Sequence, residues 1–279
     1  MSVRKTIEQI RAKKNKQKIT MLTAYDFPFA SIIDQAGVDI ILVGDSLANV
    51  VLGLESTKDV TMEQMLHHTK AVNRAVKNAL LLGDMPYEAY QSHPEKSIES
   101  AKRFMDEAGC GAVKLEWFED CLSVTKKIIK AGIPVMGHVG LTPQTADKLG
   151  GFKVQGKTAH TASQIIKNAK DLEACGCFAI VLECIPKEIA KIITGELSIP
   201  TIGIGAGVDC DGQVLVTYDM IGLFDRFHPK FAKQYTNLKE MILMNVKQFR
   251  AEVENSIFPD DQYSYAIEGK ELDSLKNRR

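Results

Sequence analysis

No stretch of this sequence is apolar for long enough to cross a bilayer. The longest runs, such as Cys177–Leu182, fall far short of the roughly 20 residues that a spanning helix needs. No sign of charge dominates either: 35 Lys and Arg balance 35 Asp and Glu. That removes the basic field through which nucleic acid is bound, and any acidic tail. The six cysteines, at 110, 121, 175, 177, 184 and 210, form no Cys-x-x-Cys pair, and no signal peptide stands ahead of them. They read as reduced thiols of a cytoplasmic protein, with Cys175 and Cys177 as small residues at a helix-to-strand junction. There is no linker and no low-complexity block. No dinucleotide or Walker fingerprint occurs, and no His/Cys set stands at zinc spacing. The adjacent His67 and His68 lie inside an expected helix, where neighbours face different ways, and read as structural.

What the chain does contain is a repeated unit. An expected helix ends in a small residue plus glycine, at Ala36-Gly37, Ala108-Gly109, Ala131-Gly132 and Cys175-Gly176. Glycine there accepts the left-handed conformation that closes a last turn. A short apolar strand follows each: Ile40–Val43, Ala112–Leu115, Pro134–Met136 and Phe178–Leu182. Continuous apolar runs of this kind read as parallel strands covered on both faces. Ile19–Thr23, Ala79–Leu82 and Pro200–Ile204 fit the same style, and Val214–Val216 is a candidate eighth strand. Expected helices lie near 27–36, 61–77, 94–108, 118–131, 161–175 and 186–197. Two of them open with capping-box patterns, Thr61-x-x-Gln64 and Thr161-x-x-Gln164.

Alternating strand and helix means an α/β fold, and seven or eight units in 279 residues favour a closed (β/α)8 TIM barrel in a single domain. We divide the chain into an N-terminal capping helix over 1–17, a catalytic barrel over 18–257 and a polar tail over 258–279. The segment Ala206–Gly212 is short for a parallel crossover. Residues 213–220 are therefore an alternative helix, with the last strand elsewhere. The glycine-rich segment Gly140–Thr158 is too long to be an idle connection and is expected to cover the site.

In such a barrel the active site lies at the C-terminal ends of the strands. There the sequence places Asp45-Ser46, Asp84, Lys114 with Glu116, His138 and Glu183, each at the end of an apolar run. Carboxylates brought together repel, and burying them unpaired costs several kcal/mol each. A cation relieves both costs, and all-oxygen ligation suits Mg2+. Gly203-Ile-Gly-Ala-Gly207 reads either as a phosphate cradle or as a place of close backbone approach.

The segments Thr23-Ala-Tyr-Asp26, Val43-Gly-Asp-Ser-Leu47, Gly83-Asp-Met-Pro86, Val113-Lys-Leu-Glu116, Gly137-His-Val-Gly-Leu-Thr-Pro-Gln144, Gly150-Gly-Phe-Lys-Val-Gln-Gly156, Val181-Leu-Glu-Cys184, Ile202-Gly-Ile-Gly-Ala-Gly207 and Asp211-Gly-Gln-Val-Leu-Val216 resemble, in order and spacing, the ketopantoate hydroxymethyltransferase family. The resemblance runs from about residue 18 to about 265. It implies a cytoplasmic homodecamer of (β/α)8 barrels at the start of pantothenate synthesis. The reaction it implies moves a one-carbon unit from 5,10-methylenetetrahydrofolate to 3-methyl-2-oxobutanoate through a Mg2+-stabilised enolate. It also implies Asp45 and Asp84 as Mg2+ ligands, with Glu116 as a third in the inner or outer shell. Ser46, Lys114 and His138, beside Asp45 and Asp84, would hold the 2-oxo acid, and Glu183 would be the base. The chain departs from the family pattern at Ala48-Asn49, usually Gly-Met, and at Trp117-Phe118, usually Gly-Gly. A Schiff base at Lys114, a Mg2+-dependent lyase and a non-catalytic scaffold barrel are the competing readings. The Lys-Lys-Cys-Gly-His signature of isocitrate lyase relatives is absent.

Overall fold

The computed structural model describes residues 4–278. Residues 1–3 of the expected N-terminal unit and 279 of the tail lie outside the described residues. Eight parallel strands close into one barrel in sequence order. They are β1 (Ile19–Thr23), β2 (Ile40–Val43), β3 (Leu80–Asp84), β4 (Ala112–Glu116), β5 (Val135–Gly140), β6 (Ala179–Glu183), β7 (Thr201–Ile204) and β8 (Gly212–Leu215).

The apolar runs serve two cores at once. Side chains alternate across a strand, so Ile41, Leu81, Val113, Val135 and Ile180 face out to the helices. Ile40, Leu42, Leu80, Leu82, Ala112, Met136, Ala179 and Val181 fill the barrel interior. Continuing the inward rows by two residues at a time leads to Asp84, Lys114 then Glu116, His138 and Glu183. The apolar interior thus ends in an ionisable layer at the top.

Below, the helix Ile7–Arg11 opens on a capping box formed by Thr6 and Gln9. It seats Ile10, fully buried, among the interior residues at the bottom of the barrel. Arg4 donates to the carbonyls of Asn73, Val76 and Gly109. Those are the carbonyls that helix and loop ends leave without partners.

The structure settles the eighth strand. Gly212–Leu215 pairs with both β7 and β1, so the alternative helix over 213–220 is not formed there. Only a short helix, Thr217–Met220, follows. The link needs no crossover helix because β7 has four residues, about 13 Å at strand rise. Seven residues reach about 23 Å when extended, enough to return along the barrel wall. Glycines make that path possible: a Cβ on Gly203 would stand 2.9 Å from the Cys210 sulfur, and one on Gly212 2.5 Å from the Ile19 carbonyl.

Two further expectations are corrected. The helix expected to open at the Thr161-x-x-Gln164 box spans Ala159–Ala174, and its N-cap is Thr158, with Thr161 at the third position. Thr158 meets the same hydroxyl-to-N–H geometry one turn earlier, so it starts the helix first. β3 and β5 both run further upward than expected, ending at Asp84 and Gly140. The Thr61–Gln64 box does open the helix Met62–Ala75. After β8, the helix Leu238–Glu254 buries none of its residues, and the tail carries an exposed helix, Gly269–Lys276.

Candidate active site

Strand register brings the ionisable residues together. Asp84 pairs with Lys114, and Glu116 with His138. β5 and β6 meet at Gly140 and Glu183, where a Cβ on Gly140 would stand 2.2 Å from the Glu183 carbonyl oxygen. Only glycine fits there, and the backbone has the positive φ of 99° that glycine tolerates. The turn after β2 supplies Asp45 and Ser46. The Ser46 hydroxyl lies 2.8 Å from that of Tyr25.

Asp45, Ser46, Asp84, Lys114, Glu116, His138 and Glu183 line one cavity of about 470 Å³ at the top of the barrel. Its floor is Asp45, Asp84, Lys114, Glu116, His138 and Glu183. Its mouth is walled by Leu141, Pro143 and Phe152–Val154 of the long loop, and by Phe224, Phe227 and Pro229–Phe231. The expected covering role of segment 140–158 matches this position.

The Lys114 ammonium lies 2.9 Å from Asp84 Oδ1 and 3.4 Å from His138 Nδ1. Burial opposes the charge on Lys114, but Asp84, Glu116 and Asp45 outweigh it, and its pKa moves up. Burial, and then the Lys114 charge, drive His138 well below its ordinary value. A neutral imidazole that accepts from Lys114 at Nδ1 carries its proton on Nε2. That atom lies 3.2 Å from Glu183 Oε2. Burial raises Glu183 to about 8 against the opposing charge of Lys114. Burial likewise raises Asp84 to about 8, and Glu116 well above the usual carboxylate range.

Backbone and amide donors reach one oxygen of each of three carboxylates. Asp84 Oδ2 accepts from the Asp45 backbone N–H at 3.1 Å. Asp45 Oδ2 accepts from the Gln144 amide, and Glu116 Oε2 from the Gln144 backbone N–H, both at 3.0 Å. Asp84 Oδ1 meets only the Lys114 ammonium, at 2.9 Å, and Glu116 Oε1, buried, accepts no hydrogen bond from the protein. A buried carboxylate oxygen left open like Glu116 Oε1 is costly unless something outside the protein takes it. Among the described residues no group of three His, Cys, Asp or Glu side chains is already placed to hold a metal ion. The donors at the floor are carboxylate oxygens, the kind that Mg2+ takes alongside water and substrate oxygens.

Two residues of the site carried no signal in the sequence beyond ordinary composition. Gln144 sits in the quoted Gly137–Gln144 segment, but its side-chain role appears only when the loop folds back. Tyr90, in the short helix Tyr87–Tyr90, is fully buried; its hydroxyl accepts from the Glu116 N–H at 3.0 Å and donates to Gln144 at 2.6 Å. The glycines near the end of β7 serve packing: a Cβ on Gly205 would meet the Phe231 ring at 2.8 Å, and one on Gly207 the Lys187 Cβ at 2.5 Å. Both residues that depart from the family pattern after Glu116 are integrated, with Trp117 packed on the outer core and Phe118 edge-on to Tyr90 at 5.4 Å.

A sequence profile described as ketopantoate hydroxymethyltransferase matches residues 4–261. The chain belongs to this family. Curated relatives named 3-methyl-2-oxobutanoate hydroxymethyltransferase include one from Dehalococcoides mccartyi strain BAV1, 53% identical over 98% of this chain and 99% of its own. Another, from Syntrophomonas wolfei, is 51% identical over 94% of this chain and 95% of its own. Among solved structures, phosphoenolpyruvate phosphomutase from Streptomyces platensis has a TM-score of 0.61 at 12% identity, over 98% of both chains. Phosphonopyruvate hydrolase, solved with oxalate and Mg2+, has a TM-score of 0.59 at 13% identity, over 98% of this chain and 96% of its own. These two share the barrel fold. The chain is thus a hydroxymethyltransferase of the ketopantoate family on a single-domain (β/α)8 barrel.

Proposed function

We propose that the chain transfers the one-carbon unit of 5,10-methylenetetrahydrofolate to 3-methyl-2-oxobutanoate, giving 2-dehydropantoate. We assign Asp45 and Asp84 to Mg2+, with Glu116 beside them, and Glu183 as the base. The observation that carries this reading is the set of buried carboxylates: Asp45 and Glu116 are each anchored through one oxygen, Asp84 shares the single lysine of the floor, and Glu116 Oε1 accepts no hydrogen bond from the protein. When bound, Mg2+ would act as a Lewis acid and lower the cost of negative charge developing at the keto oxygen. Lys114 supplies positive charge for the substrate carboxylate, while Ser46 and neutral His138 hold its oxygens. Glu183 takes the proton from C3. Its carboxyl, raised to about 8 by burial, is a stronger base than an ordinary glutamate near neutral pH. Water breaks both bonds from the methylene carbon to the folate nitrogens, so tetrahydrofolate leaves and the carbon is released as formaldehyde; C3 bonds to that carbon, and its oxygen takes the proton back from Glu183 as the new hydroxyl.

The second substrate is larger than the first and needs room above the carboxylate floor. The mouth offers an apolar aromatic pair: Phe152 and Phe227, 62% and 59% exposed, stand 6.5 Å apart with their rings tilted by 42°. Lys153 and Lys230 line the same opening. An aromatic pair with flanking ammonium groups suits a planar pterin with an acidic tail.

The uncovered helix Leu238–Glu254, with Met241, Met244, Val246 and Phe249 more than half exposed, supports the homodecamer expected of the family. Its mass in solution checks this. Six free cysteines suit a cytoplasmic setting. The division into capping segment, barrel and tail is our own. The reaction is tested by proton NMR in deuterated buffer. With Mg2+ and no folate, the protein should exchange the C3 proton of 3-methyl-2-oxobutanoate; adding methylenetetrahydrofolate should give 2-dehydropantoate. Product without any Mg2+ requirement would overturn the metal assignment, and no exchange or product would overturn the reaction.

A further inference from the structure

Gln144 is fully buried. It lies in the turn Pro143–Thr145, beyond the end of β5. Its amide uses all of its capacity. Nε2 donates to Asp45 Oδ2 and to the Met85 carbonyl, both at 3.0 Å. Oε1 accepts from the Tyr90 hydroxyl at 2.6 Å and from Gln91 Nε2 at 2.9 Å. Two donors and two lone pairs are all that a primary amide has. Its backbone N–H goes to Glu116 Oε2 at 3.0 Å. One residue of the loop after β5 therefore touches the ends of β2, β3 and β4.

The amide cannot turn over without loss. A flip would point its oxygen at two acceptors, Asp45 and the Met85 carbonyl, and its NH2 at the Gln91 NH2 and the Tyr90 hydroxyl, whose lone pairs already receive the Glu116 N–H at 3.0 Å and Gln91 Nε2 at 3.0 Å. Tyr90 and Gln91 therefore lock the orientation in which Gln144 offers an N–H to Asp45. Three fully buried groups, Gln144, Tyr90 and Glu116, make up this lattice, where an unmade hydrogen bond costs most.

We infer that Gln144 is a positioning residue for the cation: it engages one oxygen of Asp45 through its side chain and one of Glu116 through its backbone, and so sets both carboxylates for Mg2+. This rests on the metal assignment made under Proposed function. Tyr90 acts one step further out, by fixing the Gln144 amide. Groups that orient a ligand in this way lower the disorder that metal binding must otherwise overcome. Removing them typically weakens metal affinity roughly 10- to 100-fold.

Direct Mn2+ binding to the full-length protein without substrates, read from the loss of the free-ion paramagnetic resonance signal, tests the inference. Gln144→Met keeps the side-chain length and removes both donors, so it should weaken Mn2+ by roughly 10- to 100-fold. Turnover should show a raised metal requirement, with kcat largely restored at saturating metal. Tyr90→Phe removes one hydroxyl and should weaken Mn2+ by less. A lower unfolding midpoint with wild-type Mn2+ affinity in Gln144→Met would assign a purely structural role and overturn the inference. If Gln144→Met does not fold, Tyr90→Phe decides: weaker Mn2+ supports the inference and unchanged affinity overturns it. Asp45→Asn separates the two levels. Wild-type affinity in Asp45→Asn would remove the metal assignment itself, whereas lost affinity there with none lost in Gln144→Met would remove only the role of Gln144.

Discussion

At the lower end of the barrel, Asp39 meets Lys13 at 2.6 Å, Lys5 at 3.1 Å and the Thr20 N–H at 2.9 Å. Asp211 there meets Lys14 at 2.8 Å and the Thr201 N–H at 2.9 Å, and Asp34 takes the backbone N–H groups of Lys77, Asn78 and Ala79. Burial works against the charge of each, yet these partners outweigh it and hold all three below the usual carboxylate range. At the upper end Asp84, Glu116 and Glu183 share one lysine, and burial pushes all three up. The same side-chain type thus has opposite tasks at the two ends. Below, a full set of donors secures the fold. Above, donors are fewer and one lysine is shared, and the deficit is what a cation and an anionic substrate can fill.

Breaking the upper end should cost activity and spare the fold. Glu183→Gln keeps the size and removes the proton acceptor. Exchange of the C3 proton should fall by about 10²–10⁴-fold, the usual worth of a general base, with Mn2+ affinity near wild type. Exchange at the wild-type rate would transfer the role of base to His138, the next group along the same end.

Breaking the lower end should do the reverse. Asp211→Ala leaves Lys14 and the Thr201 N–H without their acceptor. Losing one partner of a buried pair costs about 3 kcal/mol or more. Urea unfolding should show that loss, while exchange per folded molecule stays unchanged. An unchanged unfolding midpoint would mean that the lower pairs are ornamental.

The smallest effect sharpens the comparison through pH. A carboxyl held low in the folded state adds stability above its unfolded pKa, and this is lost as pH falls through the folded value. The lower end therefore loses its contribution in acid. A carboxyl held high behaves oppositely: its contribution is present below the unfolded pKa of about 4.3 and fades as pH rises. For Glu183 the fading ends near pH 8. Metal-free protein should lose thermal stability across that window, and Glu183→Gln should flatten the loss by a few degrees. Identical slopes in both proteins would contradict the raised value.

Much of this division was legible in the sequence. Asp84, Glu116, His138 and Glu183 stood out because each ends a run of apolar residues, and a barrel strand points alternate residues inward whatever its neighbours are. The lower pairs were not legible. Lys14 and Asp211 are 197 positions apart, and nothing local marks either as a partner. Gln144 and Tyr90 escaped for a related reason: a loop and a four-residue helix show no periodicity from which side-chain direction follows. β8 is ambiguous in the sequence because the length of the crossover does not reveal the short span of β7. Thr158 is masked there by Thr161, which offers the same capping pattern one turn later.

The seam between first and last strands has a consequence for the order of synthesis. β1 pairs with β8 from Ile19 opposite Gly212 onward, and Lys14 reaches Asp211 beneath it. At about 5–20 residues per second, roughly 200 residues take some 10–40 s to follow Lys14 from the ribosome. Through that interval β1 is an unpaired edge on one side, and the base of the barrel lacks its closing strand. Strand β1 is made well before its last partner, so the nascent chain exposes this seam for as long as the intervening strands take to emerge.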